Sequence, residues 1–172
     1  MTDWSNWVPR ETATLCFIQQ NGQLLLIRKK RGLGAGKINA PGGRLEPGET
    51  AHEAAIRETG EEVGVMPHLL EKRGELHFQF LDGYSLHCTV FLAQGCTGEP
   101  YETDEADPFW CGIEALPYHE MWADDIHWLP LVIEGKNFRG YFEFDNEIML
   151  SNRVEIVESF LPENGFGQNL QN

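Results

Sequence analysis

Residues 42–65 read GGRLEPGETAHEAAIRETGEEVGV. Pro47 and Gly48 make a turn, Thr50 and Glu53 have the spacing of a capping box, and Gly64 stands where a helix begun at Thr50 should stop. The helix so bounded carries Glu58, Glu61 and Glu62 close together. Like charges one turn apart destabilise a helix by roughly a few tenths of a kcal/mol per pair, so their grouping needs a reason. At about 100° per residue, His52, Ile56, Thr59 and Val63 form one stripe, the expected core face. The three glutamates cluster on another face, with Ala51, Ala54 and Ala55 on or beside it one turn earlier. Small residues there leave open space above the carboxylates. Arg57, the only basic residue of the helix, lies four residues after Glu53 and four before Glu61 and is expected to orient Glu61 by a charge-assisted bond. Two readings follow from the spacing: a solvated acidic face, or a hard-cation site. In the second, oxygen ligands suit Mg²⁺ or Mn²⁺, substrate phosphates complete the shell, and the Gly42–Gly43 backbone offers a carbonyl.

The remaining chain narrows the setting. Its 172 residues suit one domain. A net charge of −14 argues against electrostatic binding to duplex DNA or to an anionic membrane. A small polyanion remains compatible if metal cations screen the contact. No apolar run is long enough to span a bilayer, and the N-terminus has no signal-peptide pattern. Cys16, Cys88, Cys96 and Cys111 show no zinc or disulfide spacing and are expected as free thiols in a reducing compartment.

Residues 12–20 and 23–30 read as strands joined through Asn21 and Gly22, a hairpin signal. Residues 31–43 are glycine-rich and read as a loop; no helix opens directly after their G-x-G-x-G, so it is not a dinucleotide fingerprint. Further strands are expected at 75–81, 84–93, near 108–113, at 136–144 and at 154–160. A short helical piece is expected at 118–122 and a helix from Asp124 and Asp125 over 126–135, with Pro130 in its first turn. Residues 161–172 read as a polar, disordered tail.

Gly43, Glu49, Arg57, Glu58, Glu61, Glu62, Gly64 and Val65 match the pattern G-x5-E-x7-R-E-U-x-E-E-x-G-U. In this the chain resembles the Nudix hydrolases; Thr59 departs where that family has a large apolar residue. The resemblance implies an α/β/α sandwich around a mixed β-sheet, as a single domain over residues 8–160. It also implies divalent metal ions held by the Gly42 carbonyl, Glu58, Glu61 and Glu62, with Arg57 beside them. Water then attacks phosphorus in a nucleoside diphosphate derivative, and one of these glutamates, or one from a later loop, is the base.

The resemblance extends over residues 12–144. Residues 29–44, 102–110, 121–131 and 138–144 are similar to the oxidised-purine nucleoside triphosphatases of that superfamily. It places Asn39, Trp122, Asp124 and Asp125 around a purine, with Thr14, Lys29 and Phe78 lining the pocket and Glu105 near the metals. Leu33 stands where animal members tend to have Phe. The residues themselves fit a purine site. Trp122 and Trp128 offer flat faces for stacking, Asn39 has an amide donor and acceptor, and Asp124 and Asp125, if buried together, would keep one carboxyl protonated as a donor. The plain structural alternatives are core packing for Trp122, Trp128, Phe78 and Thr14, a helix cap for Asp124, and solvated positions for Lys29 and Glu105.

The expected protein is a cytoplasmic, monomeric, Mg²⁺-dependent (or Mn²⁺-dependent) pyrophosphohydrolase acting on nucleoside triphosphates such as 8-oxo-dGTP. The alternatives are a Nudix hydrolase of ordinary dNTPs or nucleotide sugars, and a catalytically silent nucleotide-binding module.

Overall fold

A computed structural model describes residues 1–160; the tail expected at 161–172 lies outside them. Strand β1 (Glu11–Gln20) turns Cys16 and Ile18 to one side and Phe17 to the other. β2 (Gln23–Lys29) repeats the alternation, with Leu25 and Ile27 against Leu24 and Leu26. Both faces of these strands are therefore buried. The turn between them holds Asn21 at φ 53° and Gly22 at φ 74°, the paired left-handed residues that a tight hairpin needs.

The chain continues through β3 (Ile38–Asn39), β4 (Gly42–Arg44), α1 (Ala51–Val63), β5 (Met66–Pro67), β6 (Glu71–Phe80) and β7 (Ser85–Gln94). It ends through β8 (Cys96–Thr97), β9 (Ala106–Gly112), α2 (Asp125–Ile133), β10 (Asn137–Asp145) and β11 (Ile148–Val157). Short 3₁₀ turns lie at Trp4–Asn6 and Tyr118–Glu120. The main sheet runs β11-β10-β6-β7-β1-β2-β3, with β4 also on β1 and β9 also on β2; β5 and β8 pair separately. β1 with β7 and β6 with β10 are parallel, and the other pairs are antiparallel.

A helix covers each face. On one, Ala55 and Val63 of α1 pack on Cys16, Ile18, Leu25, Ile27 and Phe91. On the other, Trp128, Leu129 and Val132 of α2 pack on Phe17, Leu24, Leu26, Phe138 and Phe142. This is the α/β/α arrangement around a mixed sheet that the sequence implied.

The structure adjusts several expectations. The glycine loop contains β3 and β4. β6 begins at Glu71 rather than 75, and β11 at Ile148 rather than 154. β11 is an edge strand, mostly exposed, so its polar middle carries no burial alternation to read. Pro130 lies inside α2, not in its first turn; there it removes one helix hydrogen bond. The buried face of α1 is Ala54, Ala55, Thr59, Glu62 and Val63, with His52 and Ile56 only half-buried. Thr59 tolerates this because its hydroxyl donates to the Ala55 carbonyl at 2.7 Å.

Candidate active site

The capping box forms as read: the Thr50 hydroxyl accepts from the Glu53 N–H, and the Glu53 carboxylate accepts from the Thr50 N–H, each at 3.1 Å. Gly64 closes α1 at φ 75°. The helix so fixed holds Glu58 and Glu62 toward β4. Gly43 permits this approach, and Gly42 permits the close pairing of β4 with β1. A Cβ at Gly42 would lie 2.0 Å from the Thr14 carbonyl oxygen, and one at Gly43 would lie 2.4 Å from the Glu58 carboxyl carbon.

Oxygens of Glu58, Glu62 and Glu105 all lie within 4.8 Å of one another. Glu105 arrives from the loop before β9. That loop is tied to α1 by the Thr103 hydroxyl, which donates to the Glu62 carbonyl at 2.6 Å. Glu61 stands outside this cluster, half-exposed and 3.2 Å from Arg57. Arg57 does more than orient Glu61. It donates to both oxygens of Glu49 at 2.7 and 2.8 Å, to Glu58 at 2.9 Å and to the Arg44 carbonyl at 3.0 Å. Its guanidinium holds the Glu49 carboxyl down at about 2. Glu53, occupied by the cap, is not among these partners.

Burial raises Glu58, and pushes Glu62 up to about 8 against the Gly42 N–H that it accepts at 3.2 Å. Charges on Glu58 and Glu105 add to the rise at Glu62. Three close carboxylates, one of them buried, form a hard oxygen donor set whose repulsion a divalent cation would relieve.

The same cavity, about 330 Å³, continues from this cluster to Asn39, Phe78, Trp122, Asp124 and Asp125. Thr14, Lys29 and Leu33 also line it. Asp124 is 1% exposed and Asp125 3%. Asp124 occupies the N-cap position of α2, yet its side chain makes no capping bond. Its Oδ2 accepts instead from the Trp128 indole N–H at 2.7 Å. Burial pushes Asp124 up to about 6, the Trp128 donor partly opposing it. Burial, then the Asp124 charge, raises Asp125 well above the carboxylate range. Thr14 Oγ1 is buried without a hydrogen-bond partner, and so are Asp124 Oδ1 and Asp125 Oδ2 as long as both carboxyls are ionised; a proton kept by Asp125 lets the two bond each other. Such a group left unmatched costs about 1–3 kcal/mol, so these buried polar atoms in one cavity argue for a polar ligand.

The other sequence-derived residues fall as follows. The Asn39 Oδ1 accepts from the Ala40 N–H at 2.9 Å. The Lys29 ammonium donates to the Leu33 carbonyl at 2.7 Å, and burial lowers its pKa. Phe78 stacks on Phe142 at 5.5 Å. Leu33 is 47% exposed at the rim. Trp122 meets Phe80 and Phe144 edge-on, at 6.2 and 5.4 Å. Trp128, for which stacking and core packing are both open in the sequence, is 1% exposed in the core and donates to Asp124. Its spacing of four residues from Asp124 was the available signal. Lys37, which the sequence did not single out, lies 5.4 Å from the Trp122 ring centroid.

A mixed sheet between two helices, with this glutamate pattern at one end of a cavity, defines a class of phosphoanhydride hydrolase. The chain belongs to the Nudix family: the NUDIX domain matches residues 8–132. It is 42% identical over 147 residues to the oxidized purine nucleoside triphosphate hydrolase of Danio rerio, covering 84% of this chain and 94% of that one. It is 38% identical over 149 residues to the Mus musculus enzyme of the same name, covering 86% and 96%. The crystal structure of a MutT mutator protein from Bacillus halodurans superposes with a TM-score of 0.76 at 26% identity, covering 84% of this chain and 97% of that one. Among the described residues, no helix is long and apolar enough to cross a membrane.

Proposed function

We propose that this Nudix hydrolase converts oxidised purine nucleoside triphosphates, 8-oxo-dGTP foremost, to the monophosphate and pyrophosphate, and so cleanses the nucleotide pool. The observation that carries this reading is one cavity with two unlike ends. One end holds the Glu58, Glu62 and Glu105 carboxylates. The other holds a buried aspartate pair beside an aromatic wall. The two ends suit a nucleotide whose phosphates lie at the first and whose base lies at the second.

Glu58, Glu62 and Glu105 would hold Mg²⁺, or Mn²⁺, with Glu61 and the Gly42 carbonyl contributing as the family pattern implies. When bound, the ion neutralises phosphate charge and lowers the pKa of the attacking water. Arg57 fixes the direction of Glu58 and keeps the carboxylates from spreading. A carboxylate of this set takes the proton of the water as it adds across the α–β anhydride, and the pyrophosphate leaves. At the other end Trp122 stacks on the purine, worth ~1–3 kcal/mol. A carboxyl that keeps its proton near neutral pH donates a hydrogen bond, and an ionised one only accepts. Asp124 and Asp125 can therefore present a donor and acceptors to a purine edge, with the Asn39 amide beside them. Leu33, exposed at the rim, leaves the lip of the base end open. We place the enzyme in the cytoplasm as a monomer of one domain spanning residues 8–160.

The test is a panel of 8-oxo-dGTP, 2-hydroxy-dATP, the four normal dNTPs and a nucleotide sugar, read as kcat/KM with the products identified. The reading expects pyrophosphate release with an oxidised purine preferred. Preference for a nucleotide sugar, or binding without turnover, would replace it.

A further inference from the structure

Lys37 belongs to the glycine loop between β2 and β3, and three observations single it out. Its ammonium lies over the Trp122 ring, 5.4 Å from the centroid, within the range of a cation–π contact. Lys37 does not line the cavity, whereas Trp122 does, so the charge backs the ring from outside. The same ammonium is 3.7 Å from the Glu147 carboxylate in the turn between β10 and β11, with only 23% of the Lys37 side chain exposed. The loop is pressed against the same ring at Gly34, where a Cβ would lie 2.6 Å from the indole nitrogen of Trp122. The third observation is where the charge acts. Burial and the neighbouring Asp124 carboxyl raise Asp125, and the Lys37 charge is the contribution that opposes them.

We propose that Lys37 is a positioning residue for base recognition: it braces Trp122 from behind and adds a positive charge that acts on Asp125. This rests on the base-end reading given above. The groups that face the pair come from several elements. His127 and Trp128 lie on α2 and act on Asp124. Tyr118, in the 3₁₀ turn, feels the charge of Asp125, and Cys88, on β7, that of both aspartates. His127 is exposed, and the tyrosine and thiol are neutral near pH 7. Lys37 therefore acts as a fixed cation where the other neighbours are neutral or solvated. Without it the pair should hold its proton to higher pH, and the donor–acceptor pattern offered to the purine should change.

The experiment compares Lys37→Met, which keeps the stem and removes the charge, with Lys37→Arg, which keeps the charge. Carbon-13 carboxyl NMR follows Asp125 titration in the free enzyme, and kcat/KM for 8-oxo-dGTP and dGTP is measured across pH. In Lys37→Met the titration midpoint should rise by at least ~0.5 pH unit, with a change of at least ~3-fold in the 8-oxo-dGTP to dGTP ratio at fixed pH. Lys37→Arg should restore both. A Met variant that titrates like the parent, or that loses equally on both nucleotides at every pH, overturns the proposal. Asp124→Asn and Asp125→Asn separate the two readings. If neither changes the nucleotide ratio, the base-end reading itself fails. If they do and Lys37→Met does not, only the role of Lys37 fails.

Discussion

The two ends of the cavity hold buried carboxyls in different company. At the acidic end Glu58, Glu62 and Glu105 converge with Arg57 and Arg31 on their outer sides, Arg31 donating to Glu105 at 2.9 Å. The arrangement is open enough to exchange these contacts for a metal ion and phosphates. At the base end Asp124 and Asp125 are almost fully enclosed, with the Trp128 indole as a neutral donor to Asp124. Without a cation in contact, such a pair answers burial by keeping a proton. One end thus attracts positive charge, and the other makes a hydrogen-bond donor out of an acid. A nucleotide needs both, because its phosphates are anionic and its base is neutral.

The largest expected effect lies at the acidic end. Glu58→Gln and Glu62→Gln should each lower kcat/KM by at least ~10²-fold, the scale of losing a metal or base function, while circular dichroism stays unchanged. Glu61→Gln is expected to do the same and is the sharper case, because Glu61 lies outside the observed cluster. Near-normal turnover in Glu61→Gln would confine the metal function to Glu58, Glu62 and Glu105.

Glu62 also gives a readout independent of turnover. Its folded pKa is raised to about 8 from 4.5, so the unfolded chain releases the proton first and stability falls as pH rises between those values. In chelator, Glu62→Gln should therefore be more stable than the parent at pH 8, by roughly 1–3 kcal/mol after allowance for relaxation. Added Mg²⁺ should raise the melting temperature of the parent and leave the variant little changed. Equal metal responses would place the ion elsewhere.

A smaller effect is expected at the base end. Asp124→Asn or Asp125→Asn keeps the shape but fixes an amide, and should change the ratio among 8-oxo-dGTP, 2-hydroxy-dATP and dGTP by at least ~5-fold. Trp122→Ala should weaken all three together, since stacking tolerates any base. A uniform loss in both aspartate variants would remove the contrast between the two ends.

The acidic end was the more legible of the two in the sequence, for a physical reason. Glu58 and Glu62 lie on one local helix whose start and stop are written by Thr50, Glu53 and Gly64. The box that relates them to Gly43 and Arg57 has fixed spacing. Glu105 comes from a distant loop, and its approach to the helical pair cannot be read from helix periodicity. The base end is assembled from β1, β3, β6 and α2, so its residues were reached by resemblance rather than spacing. Of the core stripe read for α1, Thr59 and Val63 are buried, while the small Ala54 and Ala55 and the carboxylate Glu62 face inward where His52 and Ile56 are only half-buried. Asp124, weighed in the sequence as either a helix cap or a pocket residue, holds the N-cap position without making the capping bond. Trp128, one turn along, offers a buried donor that outcompetes the helix N-terminus. The edge strand β11 had no buried face to show.

The smallest expected effect on activity lies outside the cavity. His77 stacks on Tyr141 at 4.5 Å under Trp4 and Trp7, and its ring nitrogen meets the Gly140 carbonyl at 2.9 Å. Burial lowers its pKa from 6.5 to about 4. The unfolded chain therefore binds the extra proton between those values, and stability is full above the upper one and lost as pH falls toward the lower. His77→Phe should flatten that acid limb, a difference of roughly 1 kcal/mol or more at pH 5, with kcat/KM at neutral pH unchanged. A changed nucleotide ratio in this variant would mean that the two ends are not the sole determinants of recognition.

The most direct test of the central claim is product analysis of 8-oxo-dGTP and dGTP hydrolysis by the wild-type chain with Mg²⁺. The expected products are 8-oxo-dGMP and pyrophosphate in equal amounts, with kcat/KM for the oxidised nucleotide at least ~10-fold above dGTP, the scale of about one matched hydrogen bond to a charged group. Equal rates on the two nucleotides, or release of inorganic phosphate instead of pyrophosphate, would contradict it.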